Sequence, residues 1–324
     1  MVGSYEVKIS RRRSASYKFT VRRNITVVRG DSGTGKTTLF EMIDDHARLG
    51  EQSGVSVQCD CPCVALSDSD WKHQLKSTSG SIVFVDEGLK DIFTDEFARA
   101  ILGSDNYYVL ITRVDLPNLP YSVDEVYRIK TSGKYHSFEQ LYKSDDKHRY
   151  YLESRAKPKR DFDIFLVEDA KSGFEFYRAR FDGTLRCETA DGNAKVLRWL
   201  FDHSDNRVFV VADGAAFGAY ADRVLKLQNE HRDTVTVCLP ESFEWLLLRS
   251  GIIKADGIDE ALDDPSAHVD SRQYGSWEQF FTRLLQDSTR GTAFEYHKGR
   301  LVDAYVIPNN ADKVMALIAC RNVQ

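Results

Sequence analysis

The chain has 324 residues, 42% of them hydrophobic, which is enough to bury a sizeable core and favours two domains over one. A formal net charge of -5 gives no reason to infer nucleic-acid binding from charge alone. No apolar run approaches the ~18 residues that span a membrane, and the N-terminal residues lack the apolar core of a signal peptide, so neither membrane insertion nor secretion is predicted. The six cysteines then favour a reducing cytoplasm as the location.

Three short strands and a helix are predicted at the start of the chain. The strand patterns are YEVKI, YKFTV and NITVV, and the last of them runs directly into Gly30. The helix is predicted for KTTLFEMIDDHARL, because apolar residues recur there at helical spacing until Gly50. A glycine-rich loop therefore joins a strand to a helix.

That loop has the pattern of a phosphate-binding loop: Gly30, four residues, then Gly35-Lys36-Thr37. Glycines allow the tight curl that aims backbone N–H groups at phosphate oxygens, and the helix N terminus adds its positive dipole end. In this pattern Lys36 reaches the β and γ phosphates, and the Thr37 hydroxyl ligates Mg²⁺. An ordinary glycine-rich turn is the alternative. The predicted nucleotide-binding residues of the loop are Gly30, Ser32, Gly33, Thr34, Gly35, Lys36, Thr37 and Thr38.

Further strands and helices alternate up to about residue 130. Strands are predicted at VSVQC, SIVFV, YYVLITR and SVDEVYRIK, and helices near DWKHQLK and at DIFTDEFARAIL. This alternation predicts an α/β fold with a parallel-rich sheet that is covered on both faces.

Polar residues follow two of these strands. Asp86 and Glu87 follow SIVFV, an arrangement in which the first acid supports Mg²⁺ and the second activates an attacking water. Because a kinase needs no water-activating Glu, this pair favours hydrolysis over transfer to a metabolite. Thr112 and Arg113 end the next strand, where they would contact the γ phosphate or complete a neighbour's site. The alternatives are a strand-end cap for the acids and a surface position for the arginine.

This part of the chain resembles the ABC/AAA-type P-loop ATPases over roughly residues 5 to 130. Gly30 to Thr37 match the first phosphate motif of that family, and IVFVDEG matches its Asp-Glu second motif. The resemblance implies ATP and Mg²⁺ as cofactors. The short separation of the two motifs leaves no room for the inserted arm of that family, and no LSGGQ-like signature is present.

A second series of strands and helices begins after a charged segment. We expect a P-loop ATPase domain in residues 1–135, a charged linker in 136–160 and a second α/β domain in 161–324. Strands of the second domain are predicted at DIFLV, RVFVVA and TVTVCL, each followed by a helix. A helix at SWEQFFTRLLQ, a strand pair around FEYHKGRLVDAYVI and a last helix at ADKVMALIAC complete it.

Carboxylates follow the strands of this second series: Glu168, Asp213 and, after the third strand, Glu241 or Glu244. Carboxyl ends of parallel strands share one edge of a sheet, so these groups are predicted to converge there. Carboxylates that converge favour one or two Mg²⁺ ions and in-line displacement at a phosphodiester, with Glu168 and Asp213 as the main ligands. Ordinary helix capping is the alternative.

The second domain resembles the TOPRIM domain of primases, topoisomerases and OLD-type nucleases. Glu168 matches its Glu, and DGAAFG matches its D-x-D-x-x-G motif at Asp213 and Gly218, although Ala215 replaces the second Asp. An ATPase followed by a TOPRIM domain is the order found in OLD-family nucleases and similar phage-defence proteins. The resemblance implies that ATP gates a metal-dependent nuclease acting on DNA or RNA. The competing hypothesis is an ATP-dependent switch that assembles with a partner protein or as a homo-oligomer.

Other patterns are interpreted as structural. Cys59, Cys61 and Cys63 favour reduced thiols over a zinc site, because a closed zinc site needs four ligands. The arginines around 11–13 and 22–23 favour a solvated turn over a nucleic-acid surface. The segment with Tyr296, Lys298 and Tyr305 favours a structural role over a role as a source of positive charge for the acidic site.

Overall fold

The computed structural model describes residues 1–12, 14–31, 33–66, 70–151 and 162–318, and the chain divides into two compact units. The first unit consists of Met1–Leu141 with Asp264–Ser276, and the second of Tyr142–Asp263 with Trp277–Gln324. The predicted loop residue Ser32, and Arg13 of the arginine cluster, lie outside the described residues. No helix among the described residues is long and apolar enough to cross a membrane.

The first unit contains a nine-stranded sheet. Its strands are β1 (Tyr5–Arg11), β2 (Ser16–Val21), β3 (Ile25–Arg29), β4 (Val55–Gln58), β5 (Cys63–Leu66), β6 (Ile82–Asp86), β7 (Tyr107–Ile111), β8 (Val126–Ser132) and β9 (Tyr135–Gln140). Their order across the sheet is β4-β1-β2-β9-β8-β3-β7-β6-β5. Adjacent strands from β8 to β5 in this order are parallel, whereas β1 pairs antiparallel with β2 and β4, and β8 pairs antiparallel with β9.

The central strands are apolar because both of their faces are covered. Every residue of β7 is buried, as are all residues of β3 and β6 except the last of each. The helices of this unit are α1 (Lys36–Leu49), α2 (Trp71–Lys76) and α3 (Asp95–Leu102). Leu39, Met42 and Ile43 of α1 join the buried core of the sheet, which fixes the start of this helix at the carboxyl end of β3.

The second unit contains a short antiparallel pair and a parallel sheet. The pair is β10 (Lys143–Ser144) with β11 (Tyr150–Tyr151). The sheet contains β12 (Ile164–Val167), β13 (Arg186–Thr189), β14 (Val208–Val211) and β15 (Val235–Cys238), in the order β13-β12-β14-β15 with all pairs parallel. Every residue of β12, β14 and β15 is buried, as expected for strands covered on both faces.

Seven helices of the second unit are described. They are α4 (Ser172–Arg180), α5 (Asn193–Asp202), α6 (Gly218–Glu230), α7 (Phe243–Arg249), α8 (Ile258–Asp263), α9 (Trp277–Thr289) and α10 (Pro308–Ile318). The hydroxyl of Ser242 caps α7 by accepting the N–H of Trp245 at 3.1 Å. The α/β class predicted from the sequence is therefore observed, with a mostly parallel sheet in the first unit and a parallel sheet in the second.

Two predicted segments differ from the structure. Residues 136–140 of the expected linker belong to β9, which pairs with both β2 and β8, while residues 152–160 lie outside the described part of the chain. The strand pair expected around residues 294–307 is wrong, because this region has one isolated bridge between His297 and Arg300 and a 3-10 helix at Asp303–Tyr305. Hydrogen bonds of buried tyrosine hydroxyls fix this region instead, as when Tyr305 donates to the carbonyl of Phe294 at 2.7 Å.

Candidate functional site

The loop between β3 and α1 has the backbone conformation that its glycines allow. Gly33 and Gly35 have φ values of 82° and 93°, in the left-handed region that favours glycine. A Cβ atom on Gly35 would lie 2.8 Å from the hydroxyl of Tyr17, and this hydroxyl donates to the Gly35 carbonyl at 2.8 Å. Tyr17 thus holds the loop from the neighbouring strand β2 and requires glycine at this position.

Lys36 lies inside the loop and is 6% exposed. Its ammonium group donates to the carbonyls of Gly30 and Asp31, the latter at 2.7 Å, and lies 3.3 Å from the hydroxyl of Thr34. Burial, followed by the positive charge of Arg113, lowers the pKa of Lys36. The lysine is therefore held in the curve of the loop by backbone carbonyls, where its charge is poorly compensated.

A cavity of about 530 Å³ opens over the N terminus of α1. Its lining residues are Ser14, Ala15, Tyr17, Gly33, Thr34, Gly35, Lys36, Thr37, Thr38, Arg113, Thr131 and His136. This volume is within the usual range of small-molecule sites. Lys36 and Arg113 bring positive charge to the lining and no described acidic residue belongs to it, so the cavity is suited to an anionic ligand.

Glu87, directly after β6, is bound by Arg113, which follows β7. The Nε of Arg113 lies 2.8 Å from one carboxylate oxygen of Glu87, and the backbone N–H of Arg113 donates to the other at 3.1 Å. The neighbouring Asp86 accepts the N–H of Gly88 at 3.1 Å. Both predicted acids therefore lie at the carboxyl edge of the parallel strands, and the arginine that faces the cavity also holds Glu87.

Thr112 does not line the cavity. Its side chain is fully buried, and its hydroxyl donates to the carbonyl of Val114 at 3.1 Å and accepts the N–H of the same residue at 3.1 Å. The hydroxyl thus closes a turn after β7 instead of facing the loop. Of the predicted nucleotide-binding residues, those from Gly33 to Thr38 line the cavity together. Gly30 contributes through its carbonyl, which accepts a hydrogen bond from Lys36.

Five cavity residues are not among the predicted site residues: Ser14, Ala15, Tyr17, Thr131 and His136. They come from or next to β2, β8 and β9. The pattern YKFTV predicts a strand that includes Tyr17, and His136 falls in the predicted linker. The close approach of Tyr17 to the loop at Gly35 is seen in the structure, and no pattern in the sequence predicts it.

In the second unit, Glu168 and Asp213 meet at the carboxyl edge of β12 and β14. The backbone N–H of Asp213 donates to the Glu168 carboxylate at 3.3 Å, and Asp213 accepts the N–H of Phe243, the first residue of α7, at 3.0 Å. Both acids line a cleft with a cavity volume of about 20 Å³, enough for about one water-sized species. The predicted convergence of these two carboxylates is observed.

The two carboxyl groups hold protons more tightly than usual. Burial, followed by the charges of Asp169 and Glu278, raises the pKa of Glu168 to about 7. Burial, followed by the charges of Glu278 and Glu168, raises the pKa of Asp213 well above its ordinary value. Acidic neighbours and low solvation favour the protonated form of each acid. At neutral pH the pair retains a proton unless a cation neutralises it.

Glu244 lines the same cleft but is bound to other groups. It is 2% exposed and accepts the hydroxyl of Tyr296 at 2.8 Å, while the Lys298 ammonium lies 3.9 Å away. Lys298 also pairs with Glu278 of α9. Burial acts to lower the pKa of Lys298, but the charges of Glu244 and Glu278 outweigh it and raise this pKa. Tyr296 and Lys298 are thus the partners of the Glu244 carboxylate, and Lys298 supplies the positive charge considered for this region.

The cleft is not a complete metal site. Across the described residues, no group of three or more His, Cys, Asp or Glu side chains is arranged to hold a metal ion. Ala215, at the position of the second motif Asp, is 3% exposed and donates its N–H to the carbonyl of Glu241 at 3.0 Å. A cation in this cleft would have the carboxylates of Glu168 and Asp213 as ligands and room for about one water-sized species beside them.

The cysteine and arginine clusters are part of the structure of the first unit. The sulfurs of Cys59 and Cys61 lie 3.6 Å apart, and burial, followed by the hydrogen bond with Cys59, raises the pKa of Cys61 to about 12. Arg11 pairs with Asp45 at 2.5 Å, and the Nε of Arg22 bonds the fully buried Glu125 at 3.0 Å.

Comparison with protein-family models, with curated proteins and with solved structures gives no match for this chain.

Proposed function

We propose that the first unit binds ATP with Mg²⁺ and hydrolyses it. The observation that carries this proposal is the cavity of about 530 Å³ over the start of α1, lined by the glycine loop, Lys36 and Arg113 and by no described acidic residue. Backbone N–H groups, a helix N terminus and two cations form a receptor for a polyphosphate.

The residues at the edge of this cavity fit the magnesium complex of a nucleotide. Mg²⁺ prefers one or two carboxylates and keeps several water or phosphate oxygens. The Thr37 hydroxyl and the Asp86 carboxylate are the protein oxygens that would hold it, and Lys36 would exchange its carbonyl partners for phosphate oxygens. This set needs no third acidic side chain, in keeping with the absence of such a group among the described residues.

Hydrolysis would use Glu87 as the base. Glu87 would accept a proton from the water that attacks the terminal phosphorus, while the bond to the ADP oxygen breaks. In the structure Arg113 holds both oxygens of this carboxylate. A terminal phosphate in the cavity competes for Arg113 and so makes Glu87 available to the water.

The test of this proposal measures nucleotide binding and phosphate release by the full chain. We expect ATP binding by calorimetry in the presence of Mg²⁺, and release of phosphate that stops when the metal is chelated. GTP in the same assay measures the base preference. Absence of binding by ATP and GTP would overturn the proposal, whereas binding without phosphate release would remove hydrolysis from it.

For the second unit we propose a metal-dependent nuclease site centred on Glu168 and Asp213, controlled by the nucleotide state of the first unit. The support is the meeting of the two carboxyl groups at the edge of a parallel sheet and their raised pKa values. A divalent cation would neutralise them and stabilise charge at a phosphodiester. The resemblance to TOPRIM domains supplies the substrate class, DNA or RNA.

The alternative is a nucleotide-dependent switch with a catalytically inactive second unit. Ala215 in place of an acid favours it, as does the engagement of Glu244 by Tyr296 and Lys298. In that case ATP would change assembly with a partner protein or with further copies of the chain. Light scattering with and without ATP detects the second of these.

One assay separates the two proposals. Supercoiled plasmid, or a single-stranded RNA, is incubated with the protein, ATP and Mg²⁺ or Mn²⁺, and wild type is compared with Asp213→Asn. The Asn retains an oxygen acceptor for the Phe243 N–H, which limits the change to charge. Cleavage by wild type alone supports the nuclease. Equal cleavage by both proteins removes Asp213 from the mechanism, and intact substrates with ATP-dependent assembly favour the switch.

A further inference from the structure

His136 is brought to the phosphate-binding loop by the register of β9. This strand pairs parallel with β2, which puts His136 opposite Tyr17, and antiparallel with β8, which puts it opposite Thr131. The imidazole stacks on the Tyr17 ring with centroids 4.4 Å apart, and its Nδ1 lies 2.9 Å from the Thr131 hydroxyl. Two neighbouring strands therefore fix the ring.

The ring lies beside the glycine loop. A Cβ atom placed on Gly35 would be 3.7 Å from Cε1 and 3.8 Å from Nδ1 of His136. Gly35 is the residue whose carbonyl accepts the Tyr17 hydroxyl and whose chain continues into Lys36. His136 also lines the same cavity as Lys36, Thr37 and Arg113. An anion bound to the loop is therefore within reach of an ionisable ring.

We propose that His136 is a protonation-dependent ligand of the bound polyphosphate, so that nucleotide binding takes up a proton at this ring. This inference rests on the proposed nucleotide site and adds to it a residue that makes affinity depend on pH. Histidine is the side chain whose charge changes most readily near neutral pH, and a phosphate oxygen is a strong acceptor for its protonated form.

The charges around the ring determine the direction of the effect. The titratable or charged groups that line the cavity with it are Tyr17 of β2, Lys36 of α1 and Arg113 after β7, while β8 contributes the uncharged Thr131. Burial lowers the pKa of His136 below its ordinary value, which favours the neutral ring in the absence of ligand. Phosphate charge raises this pKa. Affinity is therefore greatest at low pH and falls as the pH rises through the pKa of the bound form.

Calorimetry on the full chain tests the inference with a non-hydrolysable ATP analogue and Mg²⁺. Titrations in two buffers of different ionisation enthalpy, at several values between about pH 5.5 and about pH 8, give the affinity and the number of protons taken up. His136→Gln removes the charge and keeps a polar group for Thr131. His73→Gln is the matched control, because His73 is exposed on α2 in the same unit and does not line the cavity.

For each protein we compare the affinity for the ATP analogue at the acidic end of the pH range with that at the basic end. We expect this ratio to be about tenfold larger in wild type and in His73→Gln than in His136→Gln. Proton uptake by wild type should exceed that of His136→Gln by up to about one proton. Titration of the phosphate itself cancels in this difference, because every protein receives the same ligand.

Identical pH profiles for wild type and His136→Gln would overturn the inference and leave the nucleotide site intact. Affinity that rises with pH in wild type alone would also overturn it, by indicating that the neutral ring stacks on the ligand. Absence of binding at every pH, in a wild-type protein shown to be folded by circular dichroism, would overturn the proposed function and the inference with it. His136→Ala, measured in the same way, guards against an effect peculiar to glutamine.

Discussion

The two units place acidic residues at the same kind of position but surround them differently. In both units the acids follow buried parallel strands, Asp86 and Glu87 in the first and Glu168 and Asp213 in the second. In the first unit an arginine binds the second acid, and the adjacent cavity has about 530 Å³ and a buried lysine. In the second unit the cleft has about 20 Å³, and burial, followed by neighbouring acidic charges, raises the pKa of Glu168 and of Asp213.

This difference shows that a carboxylate at a strand end does not define a site without its neighbours. The charge of Glu87 is compensated by Arg113, which also lines the adjacent cavity. Glu168 and Asp213 are poorly solvated, so they retain a proton or bind a cation. The first edge is suited to an anion, and the second to a cation or a proton.

The largest expected effect is the loss of ATP hydrolysis in Glu87→Gln. Gln still accepts the N–H of Arg113 but cannot take a proton from water, so we expect turnover to fall about 10²- to 10⁴-fold while ATP affinity is kept. Phosphate release and calorimetry measure the two quantities. Glu96→Gln, on the exposed side of α3, is the control. Unchanged turnover in Glu87→Gln would mean that Glu87 is not the base for hydrolysis, so that this difference between the two units would be absent.

Glu168→Gln should stabilise the second unit at high pH. The folded-state pKa of Glu168 is about 7 against an ordinary 4.5, so between these values the native state retains a proton that the unfolded chain has lost. The free energy of unfolding of wild type therefore falls as the pH rises through this window, by up to roughly 3 kcal/mol. Gln remains an acceptor for the Asp213 N–H and removes the charge, so its advantage over wild type grows as the pH rises above 4.5 and is complete above about pH 7.

Urea unfolding of wild type and Glu168→Gln at about pH 5 and about pH 8 measures this effect. Trp199, Trp245 and Trp277 lie in the second unit and Trp71 in the first, so tryptophan fluorescence reports mainly the second. Glu230→Gln, at the exposed end of α6, is the control. Lower stability of Glu168→Gln than wild type at about pH 8 would mean that the carboxylate is compensated in the folded protein.

The parts of the fold predicted correctly from the sequence are those with strong local patterns. The strands before and after the glycine loop and the helix that begins at Lys36 follow from runs of apolar residues and from loop chemistry. The meeting of Glu168 with Asp213 follows from a general property of parallel strands, whose carboxyl ends share an edge. Local sequence contains both signals.

The parts that were missed depend on distant pairing. Strand β9 contains exposed and half-buried residues and no buried one, and so it resembles a polar linker. Its partner β2 is more than a hundred positions earlier, and no local pattern indicates that pairing. His136 lies at the site because of this register. The sequence contains the residue, whereas its position depends on the fold.

Lys36→Ala should weaken nucleotide binding in the first unit. A hydrogen bond to a charged group contributes about 1.5–3 kcal/mol, so we expect ATP affinity to fall about tenfold to a hundredfold. The carbonyls of Gly30 and Asp31 lose their donor as well, which loosens the loop. Calorimetry measures the affinity, and Lys90→Ala is the control, because Lys90 is exposed at the start of the 3-10 helix Lys90–Phe93 in the same unit. Equal affinity in Lys36→Ala and wild type would remove the lysine from the anion site.

The smallest effect is expected for Tyr17→Phe, which tests whether the first edge is preorganised. Phe keeps the ring that stacks on His136 and removes the hydroxyl that donates to the Gly35 carbonyl. A neutral hydrogen bond contributes about 0.5–1.5 kcal/mol, so ATP affinity should fall by less than about tenfold. Tyr5→Phe is matched to it, because the Tyr5 hydroxyl makes the same kind of bond to the exposed carbonyl of Val2. If both variants lose affinity equally, the hydroxyl acts through general stability. If Tyr17→Phe alone loses it, the loop owes its shape partly to β2.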